Sequence, residues 1–241
     1  MTLGTRPLPV SCHVSDRVKA TALSGVTPQL VVAFTGIGKS DARCQTEEFI
    51  ASSSQNGRNH VLFVADTLRS WYNEPGLHEE ILAVVEDYRR RHRIERIATF
   101  GNSMGGYGAI LFAGAIGARS CLSISPQYSA DPARVPEERR WREYRDHIKR
   151  FTRPPLETVL SPECRYFVLH GGGAVEKPHW SRFPRAPFMH HYLIGSAGHG
   201  VGRRLKAAGI INTIARQAIA GRPVALRRTL RAAFPDVKRR A

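Results

Sequence analysis

The sequence is short of acidic residues, has few cysteines and lacks any long apolar run. Its four cysteines form no Cys-x-x-Cys pair and show no metal-ligand spacing, which argues against a disulfide framework or a structural zinc site. No segment approaches the roughly 18 consecutive apolar residues of a membrane span, and no apolar stretch of signal-peptide length lies near the start. We therefore expect a cytoplasmic protein with reduced cysteines and no membrane span.

Positive charge is in marked excess, with 36 Lys and Arg against 20 Asp and Glu and a formal net charge of +16. Such an excess attracts anionic partners. No nucleic-acid-binding motif accompanies it, so we expect no specific nucleic-acid partner. Residues 222–241 are predicted to be a solvated basic C-terminal tail, capable at most of weak contact with an anionic surface. The oligomeric state stays open.

Short β-branched or aromatic runs alternate along the chain with helical patterns. The predicted strands lie at 31–34, 61–65, 97–100, 121–125, 165–170 and 188–194. Between them, apolar residues recur on one face of the segments 77–88 and 109–116. This alternation predicts an α/β fold, with a mostly parallel sheet covered by helices on both faces.

A proline-rich, highly charged stretch interrupts this rhythm after the strand at 121–125. We interpret residues 126–160 as an insertion or lid within a single domain of residues 1–221. Ligands bind beyond the carboxyl ends of the strands in such sheets, so an insertion at this point is well placed to cover a site. A plain surface helix with its aromatic residues packed inward is the alternative.

The pentapeptide Gly101-Asn102-Ser103-Met104-Gly105 lies between a predicted strand and a predicted helix. A G-x-S-x-G sequence in this context is typical of a nucleophile elbow, in which glycines keep Cβ atoms out of a crowded turn. The turn exposes the Ser103 hydroxyl to a substrate. The N–H of Met104 can then donate to a developing oxyanion.

A serine nucleophile needs a base and a carboxylate that orients the base. His199 lies in the loop Gly195–Gly200 after the last predicted strand, and we take it as the base. Glu176 is the only carboxylate in the loop after the strand that ends at His170, and we choose it as the acid. Asp131, in the preceding loop, is the alternative acid.

This arrangement resembles the α/β-hydrolase superfamily over most of the chain, from about Val31 to Ala220. The order Ser103, Glu176, His199 matches that family's order of nucleophile, acid and base. The resemblance implies an α/β-hydrolase fold. It also implies that the second oxyanion donor is an N–H in the loop after the first clear strand, from Thr35 or Gly36.

Some motifs are similar to hydrolase-like proteins associated with bacterial surface-polysaccharide or accessory secretion loci. The matching segments are Ser103–Ala109, Ser125-Pro126-Gln127, and Asp66 followed by Trp71-Tyr72. The resemblance implies acyl esters on carbohydrate as substrates. Its candidate substrate-binding residues are Asp66, Trp71, Tyr72, Asn102 and Gln127. Asp66 either contacts substrate or caps a turn, and the two aromatic residues form either a sugar-stacking platform or core.

Together these features predict a serine hydrolase that cleaves carboxylic esters through an acyl-serine intermediate, or an acyltransferase that uses the same triad. No metal or organic cofactor is implied. The expected partner is a small-molecule or saccharide ester, and the basic charge favours an anionic one.

Two hypotheses from other classes compete with this one. Residues 33–40, Ala-Phe-Thr-Gly-Ile-Gly-Lys-Ser, lack only the first glycine of the phosphate-binding pattern G-x-x-x-x-G-K-[ST], and the strand at 61–65 ends next to Asp66. A P-loop-like nucleotide-binding protein is therefore one alternative. The other is a binding protein that has a hydrolase fold without turnover.

Overall fold

The computed structural model describes residues 8–38, 45–195 and 197–240, and in these residues the chain forms one nine-stranded sheet with helices on both faces. The strands are β1 Val10–Val14, β2 Val18–Leu23, β3 Gln29–Phe34, β4 His60–Asp66, β5 Arg96–Asn102, β6 Ser120–Ile124, β7 Arg165–Gly171, β8 Met189–Ile194 and β9 Val237–Arg239. The helices are α1 Ile50–Ser54, α2 Leu77–Arg91, α3 Met104–Ala113, α4 Arg142–Arg145, α5 Leu156–Val159, α6 Lys177–Trp180, α7 Val201–Ala207, α8 Ile211–Ile219 and α9 Pro223–Ala233.

The strand order across the sheet is β1-β2-β4-β3-β5-β6-β7-β8-β9. The six strands from β4 to β8 are parallel, and antiparallel strands close both edges of the sheet. In a parallel block all strands end at the same edge. The loops after β5, β7 and β8 therefore meet at the carboxyl edge of the sheet.

The parallel strands are buried on both faces, as their continuous apolar runs predict. In β3, Leu30, Val32 and Phe34 pack into the core that includes α2 and α3. Val31, on the opposite face, belongs to the core formed with α7, α8 and α9. The predicted fold class is thus confirmed, and each of the six predicted strands has its counterpart in β3 to β8.

The C-terminal segment departs from the expected solvated tail. Residues 223–233 form α9, whose Leu226 and Leu230 are fully buried, and Phe234 joins the same core. These apolar residues recur every four positions, so one face of a helix packs against the sheet while the arginines remain outside. The chain then pairs with β8 as β9. The basic segment is an integral layer of the fold up to Arg240.

The segment between β6 and β7 contains the short helices α4 and α5 and lies against the carboxyl edge of the sheet. Its Arg145, although charged, is buried and donates to the carbonyl oxygens of Ala130 and Glu138, at 2.9 Å each. These bonds fix the segment as ordered structure. None of the helices in the described ranges combines the length and apolarity that crossing a bilayer requires.

Candidate active site

Ser103 lies on the turn between β5 and α3, with a left-handed φ of 58° and ψ of −125°. A non-glycine residue in such a conformation costs about 1–3 kcal/mol, which the surrounding packing must offset. A Cβ at Gly101 would overlap the carbonyl oxygen of Gly105, and a Cβ at Gly105 would overlap that of Phe34. Only glycine fits at either position, so this pentapeptide is able to make the sharp turn.

His199 and Glu176 come to Ser103 from the loops after β8 and β7. His199 Nε2 lies 2.8 Å from Ser103 Oγ, and His199 Nδ1 lies 3.1 Å from Glu176 Oε1. With Nδ1 donating to the carboxylate, Nε2 is free to accept the serine proton. The structure therefore brings together the three residues chosen from the sequence, in the geometry of a nucleophile, base and acid.

Glycines in the loop after β7 allow the two loops to approach. A Cβ at Gly171 would overlap the carbonyl oxygen of Ala197, and the N–H of Gly173 donates to that same oxygen at 3.1 Å. The loop that carries His199 thus packs directly on the backbone of the loop that carries Glu176. The glycine-rich sequence after His170 is explained by this contact.

Glu176 is buried, with its carboxylate paired to a cation. Arg140, from the segment between β6 and β7, donates through Nη1 to Glu176 Oε1 at 2.7 Å. Burial alone would raise the pKa of Glu176, but the hydrogen bond from His199 and the nearby positive charges lower that pKa to about 2. Glu176 is therefore ionised at neutral pH.

Arg140 also binds a second buried carboxylate. Its Nε lies 2.9 and 3.0 Å from the two oxygens of Glu138, and Glu138 Oε2 accepts from His179 Nε2 at 2.6 Å. His179 Nδ1 in turn accepts the N–H of Tyr128 at 3.0 Å, which fixes the tautomer of this histidine. The 126–160 segment is therefore connected to Glu176 through one continuous polar network.

Gln127 contacts the serine directly. Its Nε2 lies 3.2 Å from Ser103 Oγ, and its Oε1 lies 3.2 Å from Trp71 Nε1. The indole N–H can only donate, so it orients the amide with Oε1 toward Trp71 and the NH₂ group toward Ser103. Ser103 Oγ thus accepts from Gln127 while it donates to His199.

Asp131, the alternative acid, lies in local turn contacts away from the imidazole. Its Oδ1 accepts the N–H of Ala133 at 2.9 Å, and its Oδ2 lies 3.8 Å from Arg134 Nε. In the described geometry, the carboxylate at hydrogen-bond distance from His199 is Glu176 rather than Asp131.

Three predicted substrate-binding residues are buried instead. Asp66 is fully buried, and its Oδ2 accepts the N–H groups of Ser70 and Tyr72 at 2.8 and 2.9 Å, so Asp66 caps a turn. Burial raises the pKa of Asp66 to about 6. Trp71 and Tyr72 have no exposed surface, which rules out a sugar-stacking platform. The aromatic ring beside the site is instead Trp141, 4.9 Å from the His199 ring centroid.

Of the backbone donors expected for an oxyanion, Thr35 is excluded, whereas Met104 and Gly36 stay candidates. The N–H of Thr35 donates to the carbonyl oxygen of Val64 at 2.9 Å, so Thr35 is engaged in the sheet and its N–H is not available. The N–H of Gly36 donates to Glu48 Oε2 at 3.1 Å. Met104 is the first residue of α3, where N–H groups have no acceptor within the helix.

A cavity of about 280 Å³ opens beside His199. It is lined by Glu48, Phe49, Asn102, His199, Gly200, Gly202, Arg203 and Lys206. Burial raises the pKa of Glu48, although the hydrogen bond from the Gly36 N–H and the positive charge of Lys206 both lower it. The predicted substrate-binding residue Asn102 presents a buried Oδ1 with no hydrogen-bond partner in the described parts of the chain. The cavity thus borders His199 and Asn102, the residue that precedes Ser103.

The described residues bear on a metal site and on part of the phosphate-binding pattern. Among the described residues, no cluster of three or more His, Cys, Asp or Glu side chains could bind a metal ion. Of the phosphate-binding pattern at 33–40, Lys39 and Ser40 lie outside the described residues. Gly36 already binds a carboxylate, and Asp66 caps a turn.

Reasoning from the sequence missed the residues that complete the site from neighbouring segments. Arg140, Trp141 and Glu138 come from the charged stretch between β6 and β7, and Glu48, Arg203 and Lys206 come from segments on the other side of His199. The mixture of acids, arginines and a tryptophan at 137–145 was the one available signal. Glu48 had none.

Solved structures provide a comparison for the whole fold. The capsule O-acetyltransferase of Neisseria meningitidis serogroup A is similar over 90% of this chain and 97% of its own, with a TM-score of 0.60 and 15% identity. Est1E from Butyrivibrio proteoclasticus is similar over 88% of this chain and 99% of its own, with a TM-score of 0.55 and 15% identity.

The esterase Pf2001 of Pyrococcus furiosus is similar over 92% of this chain and 91% of its own, with a TM-score of 0.53 and 14% identity. No family model matches the sequence, and no curated protein is similar to it. At these identities, the similarity shows the α/β-hydrolase fold, which confirms the fold that the sequence resemblance implied.

Proposed function

We propose that this protein is a serine-dependent acyl-transferring enzyme that acts on carboxylic esters, with Ser103 as nucleophile, His199 as base and Glu176 as the orienting acid. The observation that carries the proposal is the relay of contacts from Ser103 Oγ to His199 Nε2 at 2.8 Å, and from His199 Nδ1 to Glu176 Oε1 at 3.1 Å. A serine hydroxyl is a weak nucleophile until such a base removes its proton.

In the first half-reaction, Ser103 Oγ attacks the ester carbonyl while its proton passes to His199 Nε2. The resulting oxyanion accepts hydrogen bonds from the N–H of Met104 and, once Glu48 has moved away, from that of Gly36. His199 then gives its proton to the leaving alcohol, and the acyl group stays on Ser103 as an ester. Glu176 stabilises the imidazolium throughout.

In the second half-reaction, a hydroxyl group attacks the acyl-serine, and His199 again takes and returns the proton. When that hydroxyl belongs to water, the enzyme is an esterase; when it belongs to another alcohol, the enzyme is an acyltransferase. The likeness of fold to a capsule O-acetyltransferase supports a saccharide hydroxyl as the acceptor or the leaving group. Trp141, half-buried beside His199, supports an acceptor that presents an apolar face.

The charges around the cavity beside His199 support an anionic substrate. Arg203 and Lys206 both line this cavity, and Glu48 is the carboxylate among its lining residues. Because Glu48 accepts the Gly36 N–H, its displacement by a substrate would leave the two cations facing the bound molecule. A negatively charged ester therefore gains attraction here that a neutral ester lacks.

The test is hydrolysis of an activated nitrophenyl acetate by the native chain and by two variants. We expect Ser103→Ala to lower kcat by ~10⁴- to 10⁶-fold, by analogy with other serine triads. Ser181→Ala, an exposed serine outside the site, is the matched control and should retain full activity. Turnover of Ser103→Ala within about tenfold of the native value would contradict the proposal.

Acyl transfer is tested in the same assay by adding an oligosaccharide acceptor. Formation of an acylated saccharide at the expense of free acid supports transfer, whereas unchanged release of acid assigns the activity to hydrolysis.

A further inference from the structure

A second large concavity lies where the parallel strands begin, at the end of the sheet opposite Ser103. We call this end the amino edge of the sheet. Its volume is about 690 Å³, and six arginines line it against a single glutamate, Glu163. The arginines are Arg58, Arg96, Arg119, Arg165, Arg216 and Arg222. Nothing in the proposed acyl chemistry uses this surface.

The topology of the sheet brings the arginines together. Arg96 is the first residue of β5 and Arg165 the first of β7, while Arg119 immediately precedes β6, which lies between those strands. Neighbouring strands are about 4.8 Å apart, so these three positions lie within about 10 Å of one another across the sheet. Arg216 lies in the last turn of α8, and Arg222 follows that helix. Both therefore line the concavity from the layer that covers the sheet.

Two of the six arginines are already engaged. Arg119 is paired with Glu163, and Arg165 Nη1 donates to the carbonyl oxygen of Gly221 at 2.6 Å. In the described ranges, no carboxylate lies within ion-pair distance of Arg58, Arg96, Arg216 or Arg222. Four guanidinium groups therefore line one concavity without an ion-pair partner among the residues that the structure describes.

Some surface arginines elsewhere in the molecule lie beside carboxylates of their own helix. On α2, Arg89 contacts Glu86, and Arg90 and Arg91 contact Asp87, each within one helical turn. At the amino edge, by contrast, four arginines without such a partner in the described residues face one concavity, which brings their positive charges close together. Like charges held close together repel, and an anion bound between them removes that repulsion.

We propose that this concavity, hereafter the arginine pocket, binds a ligand that carries a diphosphate or triphosphate group. Guanidinium groups present paired N–H donors that match phosphate oxygens. A di- or triphosphate carries roughly three to four negative charges, which matches the four unpaired arginines. A volume of about 690 Å³ exceeds what the phosphates fill, and the side chains of Gln29, Gln55 and Asn59 offer polar contacts to an attached organic group.

The test is titration calorimetry of the full chain with inorganic pyrophosphate, inorganic triphosphate, ADP and orthophosphate in about 150 mM salt. We expect pyrophosphate and triphosphate to bind at least tenfold more tightly than orthophosphate. Tighter binding of ADP than of pyrophosphate would support a nucleotide as the source of the phosphates. Equal binding would support a free phosphate chain. If pyrophosphate binds no better than orthophosphate, the proposal is wrong.

Matched variants separate the arginine pocket from the general charge of the protein. Arg96→Gln with Arg216→Gln removes two charges from the pocket, and Arg228→Gln with Arg231→Gln removes two exposed charges from α9. We expect the first pair to weaken pyrophosphate binding by at least about tenfold, and the second by less than about twofold. Equal losses would contradict the proposal. All four positions are exposed, and circular dichroism confirms that each variant is folded.

Discussion

The arginines at the two edges of the parallel sheet differ in burial and in whether they are paired with carboxylates. At the carboxyl edge, Arg140 is only partly exposed and contacts two buried carboxylates, Glu138 and Glu176. At the amino edge, the arginines of the arginine pocket are exposed, and four of them lack a carboxylate partner within the described residues. Burial accounts for the difference, since an unpaired charge is costly in the interior but tolerable in water.

This comparison indicates what each edge can do. A paired network holds Glu176 and His199 in contact before a substrate arrives, as the proposed mechanism requires. An unpaired, exposed group of cations is suited to binding an anion that comes from solution. Substitutions at the carboxyl edge should therefore affect turnover and stability, and those at the amino edge should affect anion binding alone.

Among the residues that support Ser103, the largest effect should follow removal of the charge on Glu176. We expect Glu176→Gln to lower kcat by ~10³- to 10⁴-fold, because the imidazolium of His199 loses its ionised partner. Asp131→Asn should be nearly silent, since the contacts of its carboxylate in the described part of the chain lie within its own turn. Steady-state kinetics with an activated ester decides between them. The reverse order of effects would move the acid to the earlier loop.

Stability should show the next largest difference. Arg140→Gln leaves two buried carboxylates without their cation, and we expect a loss of about 3 kcal/mol in the free energy of unfolding. Arg134→Gln is the matched control, because Arg134 makes a single more exposed pair worth less than about 1 kcal/mol. Urea unfolding monitored by fluorescence measures both. Equal losses would contradict the account of the buried network.

The buried histidines near the carboxyl edge predict a dependence of stability on pH. His170 donates through Nε2 to the carbonyl oxygen of Pro126 at 2.8 Å, and its Nδ1 lies 2.9 Å from His191 Nε2. Burial lowers the pKa of His170 to about 4. Between about pH 6.5 and 4, the imidazole of His170 is therefore neutral in the folded chain, whereas in the unfolded chain it binds a proton below about pH 6.5.

Stability should therefore fall as the pH decreases from about 6.5 to about 4, by about 3 kcal/mol from His170 alone. Urea unfolding across this range measures the slope, and His170→Gln, which retains a donor for Pro126, should flatten it. His147→Gln, an exposed control, should leave the slope unchanged. An unaltered slope in His170→Gln would assign the effect to other groups.

The smallest effect should come from salt, and it should differ between the edges. Between 0.1 M and 1 M salt the Debye length falls from about 10 Å to about 3 Å, so contacts between exposed charges weaken. We expect pyrophosphate binding at the arginine pocket to weaken several-fold, whereas kcat for a neutral ester should change by less than about twofold. Comparable changes at both edges would remove the distinction between them.

The sequence predicted the features that depend on local pattern. The apolar runs located β3 to β8, and the glycines around Ser103 located the elbow because only glycine fits at Gly101 and Gly105. The choice of His199 rested on its loop, which the parallel sheet places next to the serine. In each case, one segment and a general rule of sheet topology were enough.

Features that depend on contacts between distant segments were missed or mistaken. Whether Asp66 and Trp71 are exposed depends on what covers the turn after β4, which no local pattern reports. The same is true of Glu48, which reaches the Gly36 N–H from a neighbouring segment. The basic charge of residues 222–241 concealed the apolar spacing of Leu226 and Leu230, which makes that segment part of the core.

The most direct test of the proposed function is labelling of the native chain with a fluorophosphonate, followed by peptide mapping. Such a probe reacts with a serine only when a base has activated it. The account predicts one covalent adduct, on Ser103, that is lost in His199→Ala and retained when Arg96 and Arg216 are both replaced by Gln. The absence of an adduct would contradict the account and favour a hydrolase fold that binds without turnover. An adduct on another serine would contradict it by assigning the nucleophile to that residue.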